Sequence, residues 1–136
     1  MRRIIGIIVG LVIAIALIDV SWSLAARWFP SPVDPNSDAE MLTSYVVRMP
    51  LGGQGIVTAG WFLAGLVAAF AALRIGQWRP AGWIVGALIA LLGIWNFTQL
   101  AQPLWMQAMS VVAPLLGCWL AERHFHRARP GDPLIN

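Results

Sequence analysis

The sequence predicts an all-α integral membrane protein: a four-transmembrane-helix bundle with a short interfacial amphipathic helix in the first outer loop. Of its 136 residues, 59% are hydrophobic and only 11% are charged, whereas soluble domains carry about 25% charged residues. The chain also holds four apolar runs long enough to cross a hydrocarbon core, which takes about 20 helical residues. A chain of this length is expected to form a single membrane domain.

The four predicted spans are separated by short polar or proline-containing segments. They cover about residues 4–29, 55–73, 82–100 and 104–121. A cleaved signal peptide is the alternative for the first span, because Arg2 and Arg3 precede it and Ser23-Leu24-Ala25 is a possible cleavage site. Apolar character continues to Phe29, which favours a retained span.

The distribution of arginines predicts the orientation of the chain. One side of the predicted spans receives Arg2, Arg3, Arg74, Arg79, Arg123, Arg127 and Arg129. The other side receives Arg27 and Arg48 together with Asp34, Asp38 and Glu40. The positive-inside rule then places both termini, including the tail 122–136, in the cytoplasm. Because the arginines flank apolar runs rather than form one exposed patch, no nucleic-acid partner is expected.

Small residues recur every four positions in each predicted span. These seams are Gly6, Gly10 and Ala14; Gly60, Ala64, Ala68 and Ala72; Gly82, Gly86 and Ala90; and Ala113, Gly117 and Ala121. Such seams let neighbouring helix backbones approach closely, which drives packing in lipid. We expect them to pack the bundle internally, with an outward-facing seam for dimerisation or partner docking as the alternative. Pro114 lies inside the fourth span and should free a backbone carbonyl.

The predicted outer loop, residues 30–54, contains the pattern of a short helix. Ser37 followed by Glu40 fits a capping box. Apolar side chains then fall on one helical face: Met41, Leu42, Tyr45, Val46 and Met49. Pro50 ends this helix, and Gly52-Gly53 leads into the second span. The helix could serve as a lid, as a docking platform or simply as a turn of the chain.

Polar side chains within the spans are the candidate functional residues. A rise of 1.5 Å per residue places one from each span at a similar depth, about two thirds of the way to the outside: Asp19, Thr58, Asn96 and Gln107. A vestibule could extend this layer through Ser23, Gln99 and Ser110. We hypothesise that Asp19 accepts hydrogen bonds from Asn96 or Gln107 in the bundle core. The layer is either interhelical glue or a ligand, proton or ion site.

Signatures of catalysis are scarce in the sequence. His124 and His126 lack further metal ligands at suitable spacing apart from Glu122, so a basic juxtamembrane tail is the preferred interpretation. Cys118 has no base nearby and is expected to be a packing residue. No catalytic residue, metal site or cofactor is predicted.

Two stretches of the chain carry a resemblance to a known family. PSPVDPNSDAEMLTSYVVRMPLGGQ and WNFTQLAQPLW resemble segments of small, functionally uncharacterised four-helix inner-membrane proteins of Gram-negative bacteria, and the likeness covers Trp28 to Ala121. Members of that family tend to carry an acid and a histidine late in the first helix and a histidine before the fourth. The positions that correspond to these three here are Trp22, Ala26 and Gln102, whereas Asn96, Pro103 and Trp105 match. The resemblance implies this fold and a location in the bacterial inner membrane, but no activity.

For function, the sequence favours a non-enzymatic accessory or scaffold protein in the lipid bilayer. Its expected partners are further copies of itself, as a homo-oligomer, or the subunits of a larger membrane complex. The alternative is a small oligomeric carrier or channel that uses the polar layer around Asp19. A weaker alternative is a membrane enzyme that acts on lipid through Asp19.

Overall fold

The computed structural model describes residues 1–30, 38–78 and 80–125 of the chain. These ranges contain five α-helices and no β-strand: α1 (Arg2–Trp28), α2 (Ala39–Arg48), α3 (Leu51–Gly76), α4 (Pro80–Gln99) and α5 (Leu104–Phe125). Four of the helices, α1, α3, α4 and α5, are long and apolar enough to cross a membrane. The predicted all-α fold with four candidate spans is therefore confirmed.

Prolines mark the start of three of the long helices. Pro50 directly precedes α3, Pro80 is the first residue of α4, and Pro103 directly precedes α5. The carbonyls of Pro50 and Pro103 accept the first backbone hydrogen bonds of the helices that follow them. Proline suits this position because its φ angle is preset to a helical value and it has no N–H that would need an intrahelical acceptor.

The glycine pair before the second span lies inside a helix rather than ahead of it. α3 begins at Leu51, so Gly52 and Gly53 form its first turn. A Cβ atom on Gly52 would lie 2.8 Å from the Phe29 ring, and one on Gly53 would lie 2.7 Å from the Met49 side chain. The two glycines therefore allow close packing at this corner, which corrects the prediction that they lead into the span from outside the helix.

The short helix α2 packs onto one end of the bundle. Val46 and Met49 are buried, and the Tyr45 hydroxyl donates a hydrogen bond to the Phe29 carbonyl at 3.1 Å. Partial burial raises the pKa of the Tyr45 hydroxyl above its usual value, which keeps this donor protonated. The N-cap of α2 is Asp38, and no side-chain hydrogen bond caps the helix. Ser37, the predicted capping residue, lies outside the described residues.

The four long helices run alternately up and down, with α3 at the centre. α1 packs along one side of α3 and α5 along the other, while α4 packs mainly on α5 and α3. We call the end at which α1 begins the arginine end, because Arg3, Arg74 and Arg123 lie there. We call the opposite end, which carries α2, the loop end.

The small-residue seams hold this arrangement together. Every seam residue identified in the sequence is buried. A Cβ atom on Gly10 of α1 would lie 2.8 Å from the Ala68 carbonyl oxygen of α3, and one on Gly65 of α3 would collide with the backbone of Pro114 in α5. The seams therefore pack the bundle internally, as expected.

Pro114 lies within a continuous α5 and leaves one carbonyl without its usual intrahelical donor. That carbonyl belongs to Ser110, four residues earlier. It faces Gly93 of α4, on which a Cβ atom would lie 2.6 Å from the Ser110 oxygen. The freed carbonyl is thus covered by a glycine backbone, which can supply a weak Cα–H contact.

Two glycine substitutions within α3 test the importance of these contacts. Gly65→Ala should destabilise the bundle by about 1–3 kcal/mol, because its Cβ meets backbone that cannot move aside cheaply. Gly55→Ala is the matched control, since a Cβ atom there would have no neighbour within 4 Å. It should be neutral or stabilise by up to about 1 kcal/mol, because alanine favours helix over glycine. Thermal unfolding in detergent measures both, and equal midpoints would contradict the packing described.

Candidate functional site

Asp19 lies on the outward face of α1. Its side chain is exposed, and within residues 1–30, 38–78 and 80–125 it has no hydrogen bond or ion pair. Ser23, one turn further along the helix, is exposed on the same side. The opposite face of α1, which carries Gly10 and Ala14, is the one that packs into the bundle. Asp19 therefore points away from the core.

The Asp19 hydrogen bond that the sequence suggested is not formed. Asn96 Oδ1 instead accepts a hydrogen bond from Gln102 Nε2 at 2.6 Å. Gln107 Nε2 donates to the Gln102 carbonyl at 2.7 Å. Both α1 and α5 pack mainly on α3, and no hydrogen bond joins Asp19 to Gln107. The structure thus joins Asn96 and Gln107 through Gln102 and leaves Asp19 outside this cluster.

The other candidate residues form local contacts. The Thr58 hydroxyl donates to the Gln54 carbonyl of its own helix at 2.9 Å, and the buried Ser110 hydroxyl donates to the Gln107 carbonyl at 2.8 Å. Gln99 is exposed. Gly60 packs against Ser21, so in this antiparallel helix pair Thr58 lies level with Ser23, about 6 Å along α1 from Asp19.

Three buried polar residues were missed as site candidates in the sequence. Gln102 lies in the short connection between α4 and α5, where its side chain donates to Asn96 of α4 and its backbone carbonyl accepts from the Gln107 side chain of α5. Ser21 is buried against α3 and bonds to the Ile18 carbonyl at 2.7 Å. Its position seven residues after Ala14, in line with the small-residue seam, is the signal that could have revealed it.

Gln54 is the third of these residues, and its amide holds the end of α2. Its Nε2 donates to the Met49 carbonyl at 3.0 Å and to the Val46 carbonyl at 3.4 Å. Val46 lies in the last turn of α2 and Met49 is the C-cap residue, and the Val46 carbonyl also accepts a backbone hydrogen bond from Met49 at 3.4 Å. The other amide atom, Oε1, is buried without a donor among the described residues. Gln54 therefore couples α2 to α3.

Of the residues with more reactive side chains, Cys118 contributes packing and His124 does not. Cys118 is buried, and its Sγ lies 3.4 Å from the Gly65 carbonyl oxygen. His124 is exposed at the end of α5, whereas His126 lies outside the described residues. In the part of the chain that the structure describes, no three histidine, cysteine or acidic side chains are grouped so that they could hold a metal ion.

These observations define a helical bundle with four candidate membrane spans, a neutral amide cluster between α4 and α5, and one acidic side chain on the outward face of α1. The cluster forms hydrogen bonds that fix the connection between two helices. No family model, curated protein or solved structure matches the chain. The candidate functions are therefore derived from the geometry of the chain itself.

Removing the central amide of the cluster should weaken the α4–α5 connection. Gln102 is buried, and Gln102→Ala leaves the Asn96 Oδ1 without its donor. We expect a loss of about 1–3 kcal/mol in the free energy of unfolding, the typical cost of an unpaired buried group. Gln99→Ala, at an exposed glutamine nearby, should change stability by less than about 0.5 kcal/mol. Reversible unfolding in mixed micelles measures the free energy of unfolding of both variants. Similar losses in both would contradict a stabilising role for the cluster.

The amide of Gln54 should be needed to hold α2. Gln54→Met keeps the length of the side chain but removes both donors to the α2 carbonyls. Backbone amides of α2 should then exchange hydrogen faster, while those in the centre of α3 keep their protection, because α2 opens separately from the bundle. Hydrogen–deuterium exchange with mass spectrometry resolves the two helices. Unchanged exchange in α2 would show that burial of Val46 and Met49 suffices.

Proposed function

We propose that this chain is a non-enzymatic accessory or scaffold protein of the bacterial inner membrane that binds a partner transmembrane helix through the outward face of α1. In this proposal both termini lie in the cytoplasm, at the arginine end of the bundle. The observation that carries it is the exposed Asp19 carboxylate, which has no partner within the described residues.

The depth of Asp19 makes this exposure costly in a membrane. Asp19 lies seventeen residues after Arg2, at about 25 Å along α1, and about 14 Å before Trp28 at the other end. If α1 spans the bilayer, the carboxylate is inside the hydrocarbon region. An acid at the centre of a span costs about 3 kcal/mol on insertion scales, and such residues usually pair with another polar group. A partner that supplies a hydrogen-bond donor removes most of this cost.

The side chains around Asp19 suit a docked helix. The outward face follows heptad spacing through Val12, Ala16, Asp19, Ser23 and Ala26, all of them exposed. Alternating steps of four and three residues are the pattern of helices that cross at about 20°. Alanine and serine on either side of Asp19 let a second backbone approach closely. This face therefore offers both packing and a polar contact.

The remaining small-residue surfaces are already used inside the bundle. All four seams are buried between α1, α3, α4 and α5, so a further helix cannot bind through them without opening the fold. Two hydrogen bonds join Asn96, Gln102 and Gln107 where α4 connects to α5, which favours a structural role for these residues over a transport path. The outward face of α1 is not occupied by these contacts, and it is the surface that we assign to association.

Photo-cross-linking tests whether α1 has a partner. Val12 on the outward face of α1 is 61% exposed, and Leu91 on α4 is 59% exposed, so the two positions are matched for access. A benzophenone amino acid at position 12 should give one discrete protein adduct in intact membranes, whereas position 91 should react with lipid. If the partner donates a hydrogen bond to the carboxylate, the adduct should be lost when Asp19→Leu is added. Equal patterns from positions 12 and 91 would rule out docking on α1.

Asp19→Asn distinguishes the kinds of partner. Two copies that meet through α1 around a twofold axis bring both Asp19 carboxylates to the same height, where they repel each other. Asparagine removes this repulsion and should strengthen self-association. A different protein that offers a cationic side chain should bind the Asp19→Asn variant more weakly, by about tenfold or more. The mass of the adduct shows whether the partner is a second copy or a different protein. Glu40→Gln, at an exposed position on α2, is the control for loss of an acid.

A further inference from the structure

An open cleft lies at the arginine end, between the first turn of α1 and the last turn of α3. Its volume is about 680 Å³, and it is lined by Met1, Arg2, Arg3, Gly76 and Gln77. Gln77 ends α3 in a left-handed conformation, with φ of 47°. This turn leads directly to Trp78, whose ring contacts Arg3.

The two arginines of the cleft differ in how they are held. The guanidinium of Arg3 lies over the Trp78 ring, with its central carbon 5.3 Å from the ring centroid. A guanidinium stacked in this way keeps its N–H groups at the edge free to donate, in a planar fork that matches the oxygens of a phosphate. Arg2 is exposed beside it. Together they can donate to two sides of one anion.

The charge around the cleft is positive. The α1 N-terminus and the α3 C-terminus contribute partial charges of opposite sign, about +0.5 and −0.5, which largely cancel. The arginines therefore set the potential. Among the described residues, Glu122 is the acid at this end of the bundle, and it accepts a hydrogen bond from the Trp83 indole on α4. A ligand with negative charge fits these surroundings best.

The position along the helices indicates the source of that anion. Arg2 and Arg3 are the first residues of a candidate span, and Trp78 lies just beyond the end of another. Arginine and tryptophan at span ends lie at the level of the lipid headgroups. Basic residues at this level attract anionic lipids.

We propose that the cleft formed by Arg2, Arg3 and Gln77 binds the phosphate of an anionic phospholipid headgroup. Arg3, held by Trp78, donates to the phosphate oxygens in a fork, and Arg2 donates from the side of α1. The lipid joins the start of α1 to the end of α3 at the corner where these helices meet. This site depends on the arginines of the cleft and is independent of any partner at Asp19.

The test measures lipid binding to the purified full chain in neutral detergent. Titration with phosphatidylglycerol should raise the thermal unfolding midpoint, whereas phosphatidylcholine and inorganic phosphate should not. In the Arg2→Gln/Arg3→Gln variant the apparent affinity for phosphatidylglycerol should fall by roughly tenfold for each arginine removed. Equal effects of the two lipids would overturn recognition of an anion. Equal effects of inorganic phosphate would overturn a lipid as the ligand.

A matched variant separates the cleft from the general charge of this end. Arg74 lies over Phe70 and Arg123 lies over Trp119, and neither of these arginines lines the cleft. Arg74→Gln/Arg123→Gln removes the same charge and should keep most of the affinity. If it loses as much affinity as the cleft variant, the cleft is not the site. Arg2→Lys/Arg3→Lys keeps the charge without the planar guanidinium and should bind phosphatidylglycerol with intermediate affinity. Wild-type affinity in this variant would overturn binding through the planar guanidinium.

Discussion

Close contact between helix backbones is the constraint on which the rest of this structure depends. In lipid, apolar side chains gain little by leaving the solvent, so helices associate through tight packing and a few polar contacts. Here the tight packing is supplied by glycine and alanine, most clearly where Gly10 meets Ala68 and Gly65 meets Pro114. α3 carries small residues on two sides and can therefore hold both α1 and α5. The way this seam turns α1 also sets the direction of Asp19, which lies on the face opposite Gly10 and Ala14.

Polar groups in the bundle fall into two kinds. The neutral amides of Gln54 and Gln102 lie where helices end, and they bond to backbone carbonyls or to another amide. The Nε2 of each amide is thus paired with an acceptor inside the bundle, which accounts for its burial. Asp19 is different, because it is an acid in the middle of a helix and faces outward. The described part of the fold supplies acceptors for the first kind, whereas it supplies no hydrogen bond or ion pair to Asp19.

The fold could be predicted from the sequence more completely than the sites. Apolar length and the proline positions located the four long helices, and the small-residue spacing identified the faces that pack. The height of Asp19 along α1 follows from residue counting, but its direction does not, because α1 is apolar on nearly all sides and its polar pattern does not distinguish core from lipid. Residue counting along the helices identified Asn96 and Gln107 as candidates. It could not identify Gln102, because this residue lies in the connection between α4 and α5 and not within a predicted span.

The attachment of α1 has a consequence for how the protein is made. α1 is synthesised first, yet almost all of its packing surface is provided by α3. Its seam, with Gly6 and Gly10, therefore stays uncovered until α3 has been synthesised and packs against it. During that interval α1 is an isolated apolar helix that carries Asp19. The first helix of the bundle to be synthesised can therefore pack only after a later helix is available.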